Sequence, residues 1–151
     1  LPANGSGRSV NTALARFIAV DYGEKRVGLA IADTIGMIAT PAGFIARRAG
    51  KRAPIAEIIR RAEVMEARGF LVGLPLDGGG NETAWTAEVR RVGDELGKRT
   101  GLPVRYLDER FTTATSLRAI REMDGSTRGR KGDVDAMAAA VLLQNALNVT
   151  E

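Results

Sequence analysis

The sequence predicts an α/β domain built on a mixed five-stranded sheet flanked by helices. Two apolar runs, Phe17 to Asp21 and Arg26 to Asp33, are separated only by the tight connection Tyr22-Gly23-Glu24-Lys25, the spacing of a β-hairpin. Further along, short apolar runs alternate with segments of helical periodicity, and strands separated by helices join a sheet in parallel. A chain of 151 residues, 44% hydrophobic and 26% charged, supplies one sizeable core and leaves little room for two.

The first dozen residues are rich in Gly, Ser, Asn and Pro and show no periodicity. Residues 1–14 are therefore expected to form a flexible lead-in, and 15–151 a single domain. After the hairpin, a third strand is expected from Ala42 to Ala46, following Pro41. From Pro54 to about Arg68, Ile55, Ile58, Ile59, Ala62 and Met65 recur at helical spacing, with Arg60, Arg61, Glu63 and Glu66 on other faces. Pro54 suits the first turn and Gly69 the stop. Phe70 to Leu74 reads as a strand, closed by Pro75 and the loop containing Gly78, Gly79 and Gly80. Trp85, Val89, Val92 and Leu96 then mark a second helix that ends before Gly101, with Trp85 packed in the core. Val104 to Leu107 is a strand with Asp108 and Glu109 at its exit. Thr112 or Thr113 caps a helix through Met123. The basic, Gly-rich stretch Asp124 to Gly132 reads as a flexible loop. Asp133 is the N-cap of a last helix whose apolar stripe is Val134, Met137, Ala138, Val141 and Leu142.

The chain has no Cys and no His. A thiol nucleophile, a disulfide and a Cys-based zinc site are excluded, and the commonest general base is missing. Any chemistry must rest on carboxylates, hydroxyls, Lys, Arg or a metal, and carboxylate oxygens suit hard cations such as Mg2+ or Mn2+. No stretch approaches the roughly 20 apolar residues that span a bilayer, and the start lacks a targeting pattern, so no membrane partner and a cytoplasmic location are expected. Lys and Arg number 22 against 18 Asp and Glu. The excess is modest, but its cations crowd two segments. One holds Arg47, Arg48, Lys51, Arg52, Arg60, Arg61 and Arg68, and the other Arg118, Arg121, Arg128, Arg130 and Lys131. Arg forks suit phosphate oxygens, so a polyanionic partner is a reasonable expectation beside that of a solvated basic surface.

Asp21 closes an apolar strand, where an ionised carboxylate is costly unless a cation or several donors compensate it. It reads either as a turn acid or as a metal ligand. Glu109, at the exit of a later strand, is either an ion-pair partner of Arg110 or a neighbour, or a second ligand. Asp135 shares its helix side with Ala138, Ala139 and Leu142, and either complements the helix dipole or meets the other two acids. If the strands of Asp21 and Glu109 are close neighbours and the last helix lays its Ala-rich side on the sheet, the three acids form one negative cluster that calls for divalent metal.

The strings FIAVDYGEKRVGLAIAD, FLVGLPLDGGG, VRYLDERFTT and VDAMAAAVLL, in order from about Phe17 to Asn148, resemble the YqgF family. These are ribonuclease H-like proteins described as pre-ribosomal RNA nucleases or Holliday junction resolvase-like proteins. The resemblance implies a ribonuclease H-like fold and Mg2+ or Mn2+ held by catalytic Asp21, Glu109 and Asp135. It also implies a role in maturing the 5' end of the small-subunit (16S) ribosomal RNA precursor. The loop Asp77-Gly78-Gly79-Gly80-Asn81 departs from the longer polar stretch of many relatives.

Two cations about 3.5 to 4 Å apart would activate water and stabilise the leaving oxygen without histidine. Lys25, Arg26, Arg110, Thr112, Thr113, Arg128, Arg130 and Lys131 are the candidate nucleic-acid contacts, with surface charge and helix capping as their plainer roles. The Gly run lacks the GxxxxGK[ST] pattern of a nucleotide cradle. Aromatics at 5% are too few for a base-stacking platform. The expected activity is thus a metal-dependent nuclease on structured RNA such as pre-rRNA. The rivals are a Holliday junction resolvase on branched DNA and a non-catalytic nucleic-acid-binding module in ribosome assembly or transcription, with the chain a monomer or homodimer.

Overall fold

The computed structural model describes residues 10–47, 51–110, 112, 114, 117 and 131–149. Five strands, β1 (Phe17–Tyr22), β2 (Arg26–Ala32), β3 (Ala39–Ala46), β4 (Gly69–Leu74) and β5 (Val104–Asp108), form one sheet in the order β3-β2-β1-β4-β5. β1, β2 and β3 are antiparallel neighbours, whereas β4 and β5 join β1 in parallel, as strands reached through helices do. The described helices are α1 (Ile55–Val64), α2 (Ala84–Thr100) and α3 (Lys131–Leu147).

Side chains of a strand alternate between faces, and that alternation sorts the core. Ile18, Val20 and Tyr22 of β1 and Phe70, Val72 and Leu74 of β4 pack with Ile58 of α1 and Val89, Val92 and Leu96 of α2. Phe17 and Ala19 of β1, Ala30 and Ala32 of β2 and Leu71 of β4 face the other way, against Ala139, Ala140, Leu143, Ala146 and Leu147 of α3. Small residues on both partners let α3 lie close to the sheet. β1 and β4 are buried along their whole length, as strands covered on both faces must be.

Several boundaries differ from the sequence expectation for identifiable reasons. β3 begins at Ala39 rather than Ala42 and runs through Pro41, because it is an edge strand where a missing N–H is tolerated. α1 stops at Val64, not near Arg68. Glu66 adopts φ 54°, and the Ala67 N–H turns back to the Ala62 carbonyl (2.9 Å). Gly69 is therefore no helix stop. It opens β4, and a Cβ there would strike the Phe17 ring. α3 begins at Lys131, so Asp133 lies in its first turn rather than capping it, and positions 131 and 132 belong to the helix instead of a loop. Of the expected stripe, Ala138 and Leu142 are buried, Val134 and Val141 half-buried and Met137 51% exposed, while Asp135, Ala136, Ala139 and Leu143 extend the buried side. Trp85 packs against the core as expected, half-buried and stacked on Tyr22 at 5.6 Å between centroids. The expected lead-in also ends earlier than residue 14. Asn11 is buried, its side-chain amide donates to the Ala146 and Val149 carbonyls, and Leu14 is in the core. Of the expected helix from Thr112 or Thr113 to Met123, Ala114 and Leu117 are helical, and most of the remainder, like the loop from Asp124 to Arg130, lies outside the described residues.

Candidate active site

The site grows from one row across the α3 face of the sheet. Asp21 has the parity of Phe17 and Ala19, so its side chain belongs to the face that α3 covers. On one side it pairs with Gly28 of β2. On the other, continuing the parallel register one step beyond Val20 and Val72 brings Gly73 of β4 beside it. Neither neighbour has a side chain, and both gaps are used. A Cβ on Gly28 would collide with the backbone carbonyl of Asp135. One on Gly73 would collide with Oε2 of Glu109 and lie 2.9 Å from Cδ1 of Leu142. The backbone at Asp135 and the carboxylate of Glu109 are thus seated on the strands that flank Asp21. The three acids, spread over more than a hundred residues of chain, lie on one face over adjacent strands, and their exposures are 4% for Asp21, 4% for Glu109 and 2% for Asp135.

Burial of ionised carboxylates demands compensation. Oδ2 of Asp135 accepts a hydrogen bond from Nε of Arg26 at 2.6 Å, an ion pair in which the side chains are 16% and 3% exposed. The helix-dipole role belongs to the exposed Asp133, while Asp135 faces the sheet. Glu109 is held through its backbone. Its N–H donates to the Leu74 carbonyl (3.3 Å), and its own carbonyl accepts from the Thr112 hydroxyl (3.0 Å) and N–H (3.2 Å). Thr112 therefore positions Glu109.

At the rim, the Arg110 guanidinium pairs with Asp108 (2.8 Å) and holds that carboxyl below the ordinary carboxylate range. The same guanidinium lies over Gly80, where a Cβ would stand 3.0 Å from Nη1, and whose φ of 84° also favours glycine. Oδ1 of Asp77 takes up the N–H groups of Gly79 (2.9 Å) and Asn81 (2.8 Å), and the Asn81 N–H is the chief cause of its lowered pKa. The glycine loop thus spends these donors on itself, in keeping with the absence of a nucleotide-cradle pattern. Lys25 is exposed in the β1–β2 turn, where its carbonyl accepts from the Arg47 N–H (2.8 Å). Thr113, Arg128 and Arg130 lie outside the described residues, as does the side chain of Lys131, which opens α3.

Hard oxygen donors gathered on one buried face, with no thiol or imidazole in the chain, are the chemistry that Mg2+ or Mn2+ prefers. The two glycine cradles bring their carriers down to Asp21, so the donor set fits such an ion. Among the described residues, however, no three acidic side chains already stand as a ready-made metal shell.

This arrangement has relatives. The RuvX family, described as Holliday junction resolvase, matches residues 15–149. The chain belongs to the RuvX family. A Rickettsia bellii protein named "Putative pre-16S rRNA nuclease" is 35% identical to this RuvX chain over 134 residues, 89% of this chain and 86% of its own length. An Anaeromyxobacter protein of the same name is 38% identical over 133 residues, 88% and 96% respectively. The solved structure of Thermus thermophilus RuvC in complex with a Holliday junction substrate aligns with a TM-score of 0.51 at 17% identity, covering 87% of this chain and 94% of that one. The fold of the RuvX chain is accordingly ribonuclease H-like, as the resemblance to the YqgF proteins implied.

The sequence reading of this RuvX chain overlooked Gly28 and Gly73. Their signal was present: a glycine inside an otherwise apolar strand marks close approach of another group. It also left open whether Arg26 meets a phosphate or an acid of its own chain.

Proposed function

We propose that this chain is a metal-dependent nuclease that hydrolyses phosphodiester bonds and processes the 5' end of pre-16S ribosomal RNA in the cytoplasm, working as a single domain. The observation that carries the reading is the row of buried acids from β1, the exit of β5 and α3 on one face of the sheet, with the Asp135 backbone over Gly28 and the Glu109 carboxylate over Gly73. Among the described residues no helix is long and apolar enough to cross a membrane.

Asp21, Glu109 and Asp135 would hold Mg2+ or Mn2+. The bound ion supplies a lowered water pKa and a Lewis acid for the phosphate oxygens, work that a chain without histidine cannot assign to a general base of the usual kind. The chain's own part is to hold the acids aligned. β1 and β4 give Asp21 and Gly73 a rigid base, Thr112 fixes the backbone of Glu109, and Gly28 sets the height of α3. Lys25 and Arg110, at the same end of the sheet, would meet phosphates that flank the scissile one.

Purified full-length protein should cleave a pre-16S RNA fragment only with Mg2+ or Mn2+. Asp21→Asn, Glu109→Gln and Asp135→Asn should each lower the rate by at least about a hundredfold, since even groups behind metal ligands are worth ten- to a hundredfold. Circular dichroism should stay native. Undiminished cutting by the triple variant would refute the assignment. A second substrate, a four-way DNA junction, is favoured by the family description and by the RuvC-like fold. Rates on junction DNA and on precursor RNA, measured side by side, decide between them. Binding that survives all three substitutions, with no cut ends under either metal, would identify a non-catalytic module instead.

A further inference from the structure

Arg26 stands at the start of β2, directly after the hairpin turn, and its Nε reaches Oδ2 of Asp135 at 2.6 Å. The acid cannot retreat from this contact, because the backbone carbonyl of Asp135 rests on Gly28, two residues along the same strand. Its carboxylate therefore stays at the sheet surface, within the row that includes Asp21 and Glu109. The two side chains differ in freedom. Asp135 is 3% exposed and short, whereas Arg26 is 16% exposed, long, and rooted beside an exposed turn. A guanidinium is charged at any working pH and is comparatively weakly hydrated, so it can hold a buried carboxylate and can also leave it for a phosphate at the rim.

We infer that Arg26 is a metal-loading gate: its guanidinium and the divalent ion are alternative partners of the Asp135 carboxylate. In one state Arg26 pairs with the Asp135 carboxylate. In the other, the ion shared with Asp21 and Glu109 takes the carboxylate, and Arg26 swings outward to a backbone phosphate of the substrate. The gate makes metal and nucleic acid cooperative. A phosphate that draws Arg26 away frees Asp135 for the ion, and by linkage the ion strengthens phosphate binding by the same factor. It also explains why the acids share a face without forming a closed metal shell.

The inference rests on the proposed metal site, and the test separates the two. Mn2+ binding to the full chain, without nucleic acid, is measured by calorimetry for wild type, Asp135→Asn, Arg26→Gln and Arg26→Lys. Arg26→Gln should bind Mn2+ about tenfold more tightly than wild type, equivalent to about 1.4 kcal/mol, and Arg26→Lys should fall between. Adding uncleavable RNA should tighten Mn2+ binding to wild type and leave Arg26→Gln unchanged. Mn2+ bound equally or more weakly by Arg26→Gln, with loss in Asp135→Asn, overturns the gate while the metal site stands. No Mn2+ on any variant, or binding unaffected by Asp135→Asn, overturns both. Should Arg26→Gln be too unstable for calorimetry, because it leaves a buried charge without its guanidinium, thermal unfolding replaces it. Mn2+ should then raise the Tm of Arg26→Gln by more than it raises that of wild type, and an equal or smaller shift refutes the gate.

Discussion

Gly28 and Gly73 do opposite kinds of work for the same carboxylate neighbour. At Gly28 the obstructing atoms are backbone, the carbonyl of Asp135, so an added methyl can be accommodated only by lifting α3 from the sheet. Gly28→Ala should cost about 1–3 kcal/mol, the usual penalty of overpacking, and urea unfolding measures it. At Gly73 the first obstacle is the far end of the Glu109 side chain, which can move aside. Gly73→Ala should therefore cost less stability than Gly28→Ala while lowering cleavage by about ten- to a hundredfold, the range seen when a metal ligand is misaligned. Equal stability losses, or normal cleavage by Gly73→Ala, would show that Glu109 is not held where the site needs it. At this scale the acids were legible because a carboxylate at the end of an apolar run needs an explanation. The glycines inside their strands signal a close approach but not by what, because the approaching residue lies more than thirty positions away in the chain.

Among the elements, α2 shows a local signal reinforced by tertiary contacts. Thr83 and Thr86 form a reciprocal cap, the Thr86 N–H bonding the Thr83 hydroxyl (3.3 Å) and the Thr83 N–H the Thr86 hydroxyl (3.0 Å). The Thr86 hydroxyl, fully buried, also donates to the Pro75 carbonyl at the end of β4 (2.6 Å). Thr86→Val keeps the shape but leaves that carbonyl and the Thr83 N–H without their partner. It should cost about 1–3 kcal/mol, against about 1 kcal/mol for Thr83→Ala, whose hydroxyl is nearer to water. Chemical denaturation of the two variants should preserve that order. Periodicity located α1 and α2 correctly but overran the end of α1, since Met65 continues the apolar spacing while the chain must already turn to place Gly69 under Phe17. In α3 the residues on several sides are small and apolar, so the sequence offered no sharp stripe. The buried side became definite only when the helix met the alanines of β1 and β2.

For the whole molecule, both tyrosines pack on the α1–α2 face of the sheet, opposite the buried acids Asp21, Glu109 and Asp135. On the α1–α2 face, burial raises the Tyr22 phenol above its ordinary pKa, against the lowering influence of Arg47 and Arg91. Burial and the hydrogen bond to Asp94 raise Tyr106. These are the two tyrosines of the chain. An unfolded chain loses both protons near pH 10 while the folded one retains them, so this contribution to stability is complete below about pH 10 and is lost as pH rises beyond it. A spectrophotometric titration should show both phenolates forming at higher pH in the folded protein than in the unfolded chain, and a tyrosine that ionises at the unfolded position in native protein would contradict the burial. What the sequence determined by itself was the alternation of strands and helices, the exclusion of thiol and imidazole chemistry and the choice of Asp21, Glu109 and Asp135 as candidate ligands, because these follow from local spacing and from which side chains exist at all. Only the tertiary structure decided that Gly28 and Gly73 flank Asp21, that Arg26 answers Asp135, and that α3 meets the sheet with its alanine side. Those facts depend on strand register and helix rotation, which are set by contacts between residues distant in the chain and leave little trace in any local window.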